Sequence, residues 1–236
     1  MKLLRKKRLK RHKMIGKTEL GSGIYTIPDI GLILGIPLYK IRRYLKKYWD
    51  EGIGKKLFND KYSWEFQNNR KVVNFQVLIE FYIFFEFQQK GVNTKKIVKA
   101  REAMAKEFNT PYPFANRKFL TDGNSIWYYL KDDVINADLS KQTNLVGIIE
   151  SLAEKIEFNG DMAQKIFPLG KEHNVVVSPH NQFGQPVINK TNIVTDTIYS
   201  MFKAGEKKET LSMLYDISTE QINDVIEFHS KLKLAA

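Results

Sequence analysis

Tyr25-Thr26-Ile27-Pro28-Asp29-Ile30-Gly31-Leu32-Ile33-Leu34-Gly35-Ile36-Pro37-Leu38-Tyr39-Lys40-Ile41-Arg42-Arg43-Tyr44-Leu45-Lys46-Lys47-Tyr48-Trp49 carries the clearest structural signal in the chain. Thr26 stands where its hydroxyl can cap a helix. Pro28 falls in the first turn, where a missing N–H loses no hydrogen bond. Asp29, three residues after Thr26, completes a capping box with a shorter arm than Glu. Gly35 accepts the left-handed conformation that ends such a helix, and Pro37 starts another. The stretch therefore predicts a short helix, a tight turn and a second helix, the helix-turn-helix plan.

The second helix, Pro37 to Trp49, carries two faces. Leu38, Ile41, Leu45 and Tyr48 or Trp49 recur at spacings of three and four, which predicts one buried stripe. Lys40, Arg43 and Lys47 form another stripe, with Tyr39, Arg42 and Lys46 beside it, and no acid intervenes before Asp50. A basic helix mounted on a turn fits the DNA major groove, where Arg reaches guanine edges and Lys neutralises phosphate. The same pattern describes the solvated face of an ordinary helical pair, so the rest of the chain has to separate the two readings.

Charge separates them in part. Residues 1–119 hold 27 Lys/Arg against 10 Asp/Glu, or +17, and residues 120–236 hold 11 against 16, or −5. A basic front joined to a mildly acidic rear predicts that the front alone meets a polyanion. At 236 residues, 43% of them hydrophobic, the chain can build two modest domains or one large one. It has no cysteine, which excludes disulfides, thiol nucleophiles and Cys-based zinc sites and fits a reducing, cytoplasmic setting.

Lys2 to Lys13 holds eight Lys/Arg and no acid. No apolar run follows it, so it reads as a basic arm (1–23) and not as a secretory leader. Asp50-Glu51-Gly52-Ile53-Gly54 reads as a helix stop. Ser63-Trp64-Glu65-Phe66, the polar turn Gln67-Asn68-Asn69-Arg70 and Lys71-Val72-Val73 then predict two short strands, a wing with Arg70 and Lys71 near its tip. Phe75 to Gln89 is apolar nearly all round, which predicts a helix buried on more than one side, by its own domain and by a second protomer or the following domain. Its length and its two Glu rule out a membrane span. Gly91-Val92-Asn93-Thr94 ends that helix and caps another through Ile97, Ala100, Arg101 and Met104. Pro111 and Pro113 close the unit.

The order Tyr25-Thr26-Ile27, Leu34-Gly35-Ile36-Pro37, Arg42-Arg43-Tyr44, a wing, and an apolar helix ending in Gly91-Val92 resembles the MerR-type winged helix-turn-helix over about residues 24–108. The resemblance implies that the second helix and the wing contact double-stranded DNA. It points to Tyr39, Lys40, Arg42, Arg43, Lys46 and Lys47 on the helix and Arg70 on the wing; Lys71, next to Arg70 near the wing tip, joins the expected DNA contacts from the strand pattern. No long coiled-coil helix follows, so any dimer must form in another way.

Residues 111–172 read as a connecting region: a hairpin around Asp122-Gly123, a short helix from Leu145 to Ala153 and a strand from Glu154 to Phe158. Asp132-Asp133 reads as solvated, because adjacent carboxylates point apart in regular structure. Residues 173–236 read as a strand at Val175-Val176-Val177, a tight turn at Gly184 and Pro186, a short extended Val187-Ile188, and three helices. Thr195 is expected to cap the first helix and Ser218 with Gln221 to form a capping box for the third. The fold class is then mainly α within α+β, ending in a small homeodomain-like bundle.

Gly184-x-Pro186-Val187-Ile188, then Thr191 and Ile193, Gly205, and Tyr215-Asp216-Ile217-Ser218 with Gln221-Ile222 resemble the small VapB-like antitoxin domain over about residues 175–230. Lys190 stands where that family has its second glycine, and Asn192 where it has arginine. The resemblance implies a PIN-like ribonuclease toxin as partner, and the tail is expected to supply the contacts of a homodimer. It places partner or dimer contacts on Phe183, Gly184, Pro186, Val187, Ile188, Lys190 and Ile193.

Catalytic chemistry is not legible. His12, His173, His180 and His229 have no partner at metal-ligand spacing, and no nucleophile elbow surrounds Ser178. The expectation is therefore no enzyme, no cofactor and no metal. A stand-alone transcription regulator and a metal-dependent nuclease are the competing readings.

Overall fold

The computed structural model describes residues 22–53, 63–66, 70–117, 119 and 151–231. The basic arm up to residue 21, the wing turn at 67–69, the hairpin expected around Asp122-Gly123, the Asp132-Asp133 pair and the first part of the helix expected from Leu145 lie outside the described residues. What is described is a helix-rich α+β fold with three small antiparallel sheets.

Strand β1 (Tyr25–Thr26) leads directly into helix α1 (Ile27–Leu34). The Thr26 hydroxyl accepts from the Asp29 N–H at 3.3 Å, and the Asp29 carboxylate accepts from the Thr26 N–H at 2.8 Å, so both arms of the capping box close. Gly35 takes φ 64° and ends the helix. Helix α2 (Leu38–Tyr44) follows, but it does not stop at Asp50. It runs on as a π-helix from Leu45 to Ile53. The wider turn re-phases Lys46 and Lys47 relative to Lys40 and Arg43, which a strict 3.6-residue period does not anticipate.

Strands β2 (Ser63–Phe66) and β3 (Arg70–Val73) pair antiparallel, and β3 also pairs with β1, giving the order β1-β3-β2. The register places Tyr25 opposite Val73 and Phe66 opposite Arg70. Helix α3 (Phe75–Gln89) is capped by Asn74, whose side-chain oxygen accepts from the Val77 N–H at 2.9 Å. Phe75, Val77 to Phe85 and Phe87 are all buried, as the absence of a polar stripe demands. The covering comes from the same chain: α2 with its π-helical extension on one side, Phe114 and Phe119 on another, and the Gln76 amide donating to Ala163. Helix α4 (Thr94–Glu107) is capped by Asn93 and buries Ile97, Ala100, Arg101 and Met104.

Residues 151–155 are helical, and β4 (Ile156–Asn159) pairs with β5 (Met162–Ile166), a hairpin whose second strand the sequence pattern did not mark. A bridge between Ile166 and Val177 attaches this hairpin to the tail. There β6 (Val175–Val176) pairs with β7 (Val187–Ile188). Helices α5 (Thr195–Lys203), α6 (Lys208–Tyr215) and α7 (Thr219–Lys231) complete the chain. Ser218 and Gln221 exchange both capping-box hydrogen bonds, at 2.8 and 3.1 Å. Thr195, by contrast, does not cap α5; it lies inside the helix, and its hydroxyl sits 3.0 Å from His229 Nε2. One apolar cluster is continuous from Tyr25 to Phe228, across the boundaries expected at 110 and 173.

Candidate functional site

The basic helix is held in place by aromatic packing. Tyr44 stacks on Phe84 with ring centres 3.7 Å apart and meets Phe81 and Phe85 edge-on. Trp49 packs against Phe81 and receives the Arg101 guanidinium over its ring at 5.2 Å. Ile41, Tyr44, Leu45 and Trp49 are buried. The opposite side is open: Tyr39 is 64% exposed, and Lys40, Arg42, Arg43, Lys46 and Lys47 are all exposed. None of these five cations makes an ion pair among the described residues, so their charge faces solvent uncompensated at contact range. The Lys47 ammonium lies 5.7 Å from the Tyr48 ring centre, and the side chain is exposed.

The wing cations are placed differently. Arg70 opens β3 opposite Phe66. Lys71, half-buried, is bound to the Asp50 carboxylate on the π-helical segment. That pair ties the hairpin to the end of the basic helix. Its ammonium is thus engaged within the chain, a role the sequence pattern could not separate from a phosphate contact.

Beneath the helix lies a buried ion pair. Arg101 Nε donates to Glu80 at 2.6 Å with both side chains 1% exposed, and Glu80 also accepts from the Phe114 N–H at 2.8 Å. Arg101 Nη2 donates to the Pro111 carbonyl at 2.7 Å, while its Nη1 finds no partner among the described residues. Burial pushes the Glu80 carboxyl above its ordinary value, against the pull of the Arg101 charge. An acid in the middle of an apolar run, Glu80, was the available signal for this pair. Its partner, 21 residues away, was not.

In the tail, the residues expected to contact a partner divide in two. Val187 and Ile188 are fully buried, Gly184 is buried at φ 93°, and Pro186 and Ile193 are half-buried. Their contacts are made inside the chain. The Pro186 carbonyl accepts from Thr195, Ile193 accepts from the Ile188 N–H, and Gly184 faces the Tyr25 ring so closely that any Cβ there would collide with it. Phe183 (74% exposed) and Lys190 point outward, both with left-handed backbones at φ 56° and 64°. The Ile24 N–H donates to the Phe183 carbonyl at 3.3 Å, so the front of the chain and the tail turn are joined through main chain as well as through Tyr25. Burial drives the Tyr25 phenol well above its usual range, and its hydroxyl has no partner among the described residues.

The structure also assembles groups that sequence spacing hides. His173 Nδ1 lies 2.8 Å from Asp224 Oδ1, and Asp224 Oδ2 accepts from both the N–H and the side-chain amide of Asn174 at 2.7 Å. Glu227 brings a third potential ligand atom within 4.8 Å. Both Asp224 oxygens are already committed, so the arrangement works as a clasp between the start of β6 and α7 rather than as an open ligand set. The hydrogen bond that His173 makes to the Asp224 carboxylate raises the His173 pKa. Burial works against ionisation of Asp224, but its bonds from His173 and Asn174 outweigh that and hold its carboxyl low. His229, stacked on Tyr199 at 4.4 Å, is shifted the other way, because burial disfavours its charged form.

Among the described residues, no helix is long and apolar enough to cross a membrane. Residues 175–229 match the family model described as "Protein of unknown function (DUF433)". The chain is 23% identical over 164 residues to "Putative antitoxin VapB45" of Mycobacterium tuberculosis (strain ATCC 25618 / H37Rv), covering 64% of this chain and 68% of that protein. It is 34% identical over 71 residues to "Uncharacterized protein Rv2308" of the same strain, covering 30% of this chain and 28% of that protein. The crystal structure of Rv2018 from Mycobacterium tuberculosis superposes with a TM-score of 0.66 at 18% identity, over 86% of this chain and 96% of that one, which shows a shared fold. The chain is thus similar in sequence to an antitoxin-named protein over nearly two thirds of its length, carries a DUF433 match in its tail, and shares its fold with Rv2018.

Proposed function

We propose that this chain is a cytoplasmic, DNA-binding antitoxin that represses its own operon as a homodimer and neutralises a PIN-like ribonuclease toxin. In this reading residues 24–110 form a MerR-like winged helix-turn-helix. The observation that carries the DNA half is the ridge of Lys40, Arg42, Arg43, Lys46 and Lys47, exposed and free of acid partners among the described residues on a helix whose other face is locked by Tyr44 and Trp49. A rigid cationic ridge enters a major groove without first breaking internal salt bridges. Kinship with an antitoxin-named protein supports the toxin half. Phe183 and Lys190 are the tail groups left facing outward for a partner, and a PIN-type site is acidic, so Lys190 is suited to meet it.

The DNA claim is tested on the operator region upstream of the gene. Arg43→Ala should weaken binding by about 1–3 kcal/mol and relax base preference at one position, if Arg43 forks onto a guanine. Lys47→Ala should weaken all sequences alike and lower the salt slope by about one. Wild-type binding by both variants would remove α2 and its π-helical extension from the interface. A second reading, a transcription regulator without a toxin, draws on the burial of Gly184, Val187 and Ile188 inside their own chain, which leaves a smaller outward face on the tail.

A further inference from the structure

We propose that the tail contains a binding site for a phosphate monoester, in the cleft between the β4–β5 hairpin and the loops on either side of β7. The cleft has a volume of about 360 Å³, and its lining includes Lys165, Ser178, Asn181, Asn189, Lys190 and Asn192, with no acid among its lining residues. Such a volume lies at the small end of ligand sites and suits a nucleotide-sized molecule.

Three features converge on an anion. Lys165 is held by Glu157 at 2.7 Å, but Lys190 has no counter-ion among the described residues and stands at the mouth. Ser178 is 8% exposed; its oxygen accepts from the His180 N–H at 3.4 Å, leaving the hydroxyl proton without an acceptor among the described residues. The side-chain amides of Asn189 and Asn192 make no hydrogen bond among those residues either. The cleft therefore presents an ammonium, a hydroxyl and two amides, which are the donors a phosphate takes and the paired donor–acceptor groups that read a base edge.

The backbone supplies an independent observation. Lys190 is left-handed at φ 64°, a conformation that glycine adopts freely and lysine only at a cost in stability. The loop is braced in that shape: the Asn181 amide donates to the Thr191 carbonyl at 3.1 Å, the Gln182 amide to Asn192 at 3.2 Å, and the Thr191 hydroxyl to Ile188 at 2.8 Å. A strained residue held by over-determined surroundings, with its charge at the lip of a polar cleft, is the pattern of a group kept for binding. The site needs neither DNA nor a toxin, but it shares Lys190 with the toxin contact proposed above, so its test reads a small anion on the isolated chain.

The full chain can be tested by thermal unfolding with inorganic phosphate, adenosine monophosphate or sodium chloride at matched ionic strength. Phosphate should raise the midpoint beyond chloride, by linkage to the folded state. Lys190→Gly should raise the ligand-free midpoint, because strain is relieved, and should lose the phosphate-dependent increment. Lys203→Ala, an exposed α5 lysine outside the cleft, should keep the increment. Protection by adenosine monophosphate at lower concentration than by phosphate identifies a nucleotide ligand, and equal potency identifies free phosphate. The proposal is overturned if phosphate acts no differently from chloride, or if the increment survives Lys190→Gly, which marks it as a general salt effect.

Discussion

At the scale of single residues, Gly184 and Tyr25 decide more than their size implies. Gly184 holds φ 93° and leaves no room for a Cβ beside the Tyr25 ring. Gly184→Ala meets both penalties, steric and conformational, and should destabilise the chain by more than about 1 kcal/mol. Tyr25→Phe should be neutral or stabilising, because the phenol is buried with no partner among the described residues. Chemical denaturation of both variants checks the pair, and a stable Gly184→Ala protein would show that the turn can move away from Tyr25. The glycine was readable as a turn residue from Gly184 and Pro186 alone. Its role as a seat for a tyrosine 159 positions earlier was not, because nothing local records which ring will fill the space.

At the scale of elements, helix placement rests on two polar ties of different character. The Glu80–Arg101 pair joins α3 to α4 and lies under Trp49. Glu80→Ala should cost about 3–5 kcal/mol, because it strands the Arg101 charge in the core. The double change Glu80→Leu with Arg101→Met should recover much of that loss, since a buried ion pair has little net value over well-packed apolar groups. If the double variant is no better than the single, the pair does more than offset its own desolvation. The second tie is the His173–Asp224 clasp between the start of β6 and α7. His173 has its pKa raised from an ordinary 6.5, so its contribution is complete below that pH and fades as pH climbs through the raised value. Asp224 is lowered from an ordinary 3.8, so its contribution holds above that pH and fades as pH falls through the lowered value. His229 behaves oppositely to His173: its pKa is lowered, so its neutral, stacked form stabilises above 6.5 and the gain is lost as pH falls. The destabilisation caused by His173→Asn should therefore shrink as pH rises above neutral, and that caused by His229→Gln should shrink on acidification. Thermal midpoints across that range test both, and parallel pH profiles for the two variants would contradict the assignment.

At the scale of the whole molecule, the continuous apolar cluster makes the front and the tail one packed body, so a partner seated on the tail turn rests against the strand that leads into α1. If the proposed antitoxin role holds, expression of the intact locus should yield a complex of this chain with the product of a neighbouring gene, and Lys190→Ala should weaken inhibition of that product. Recovery of the chain as a free dimer, with no neighbour attached, would instead favour a stand-alone regulator. Elements with a local cause follow from the amino-acid order alone. The capping boxes at Thr26–Asp29 and Ser218–Gln221, the stop at Gly35, the apolar girth of α3 and the cationic stripe of α2 all follow from residues within a few positions of one another. The remaining features emerge from packing between distant segments: the pairing of Lys71 with Asp50, the Glu80–Arg101 and His173–Asp224 contacts, the inward turn of Val187 and Ile188, and the polar cleft around Lys190. Those depend on which distant surfaces meet when apolar area is buried, and hydrophobic burial is non-directional, so the pattern along the chain does not encode the partner.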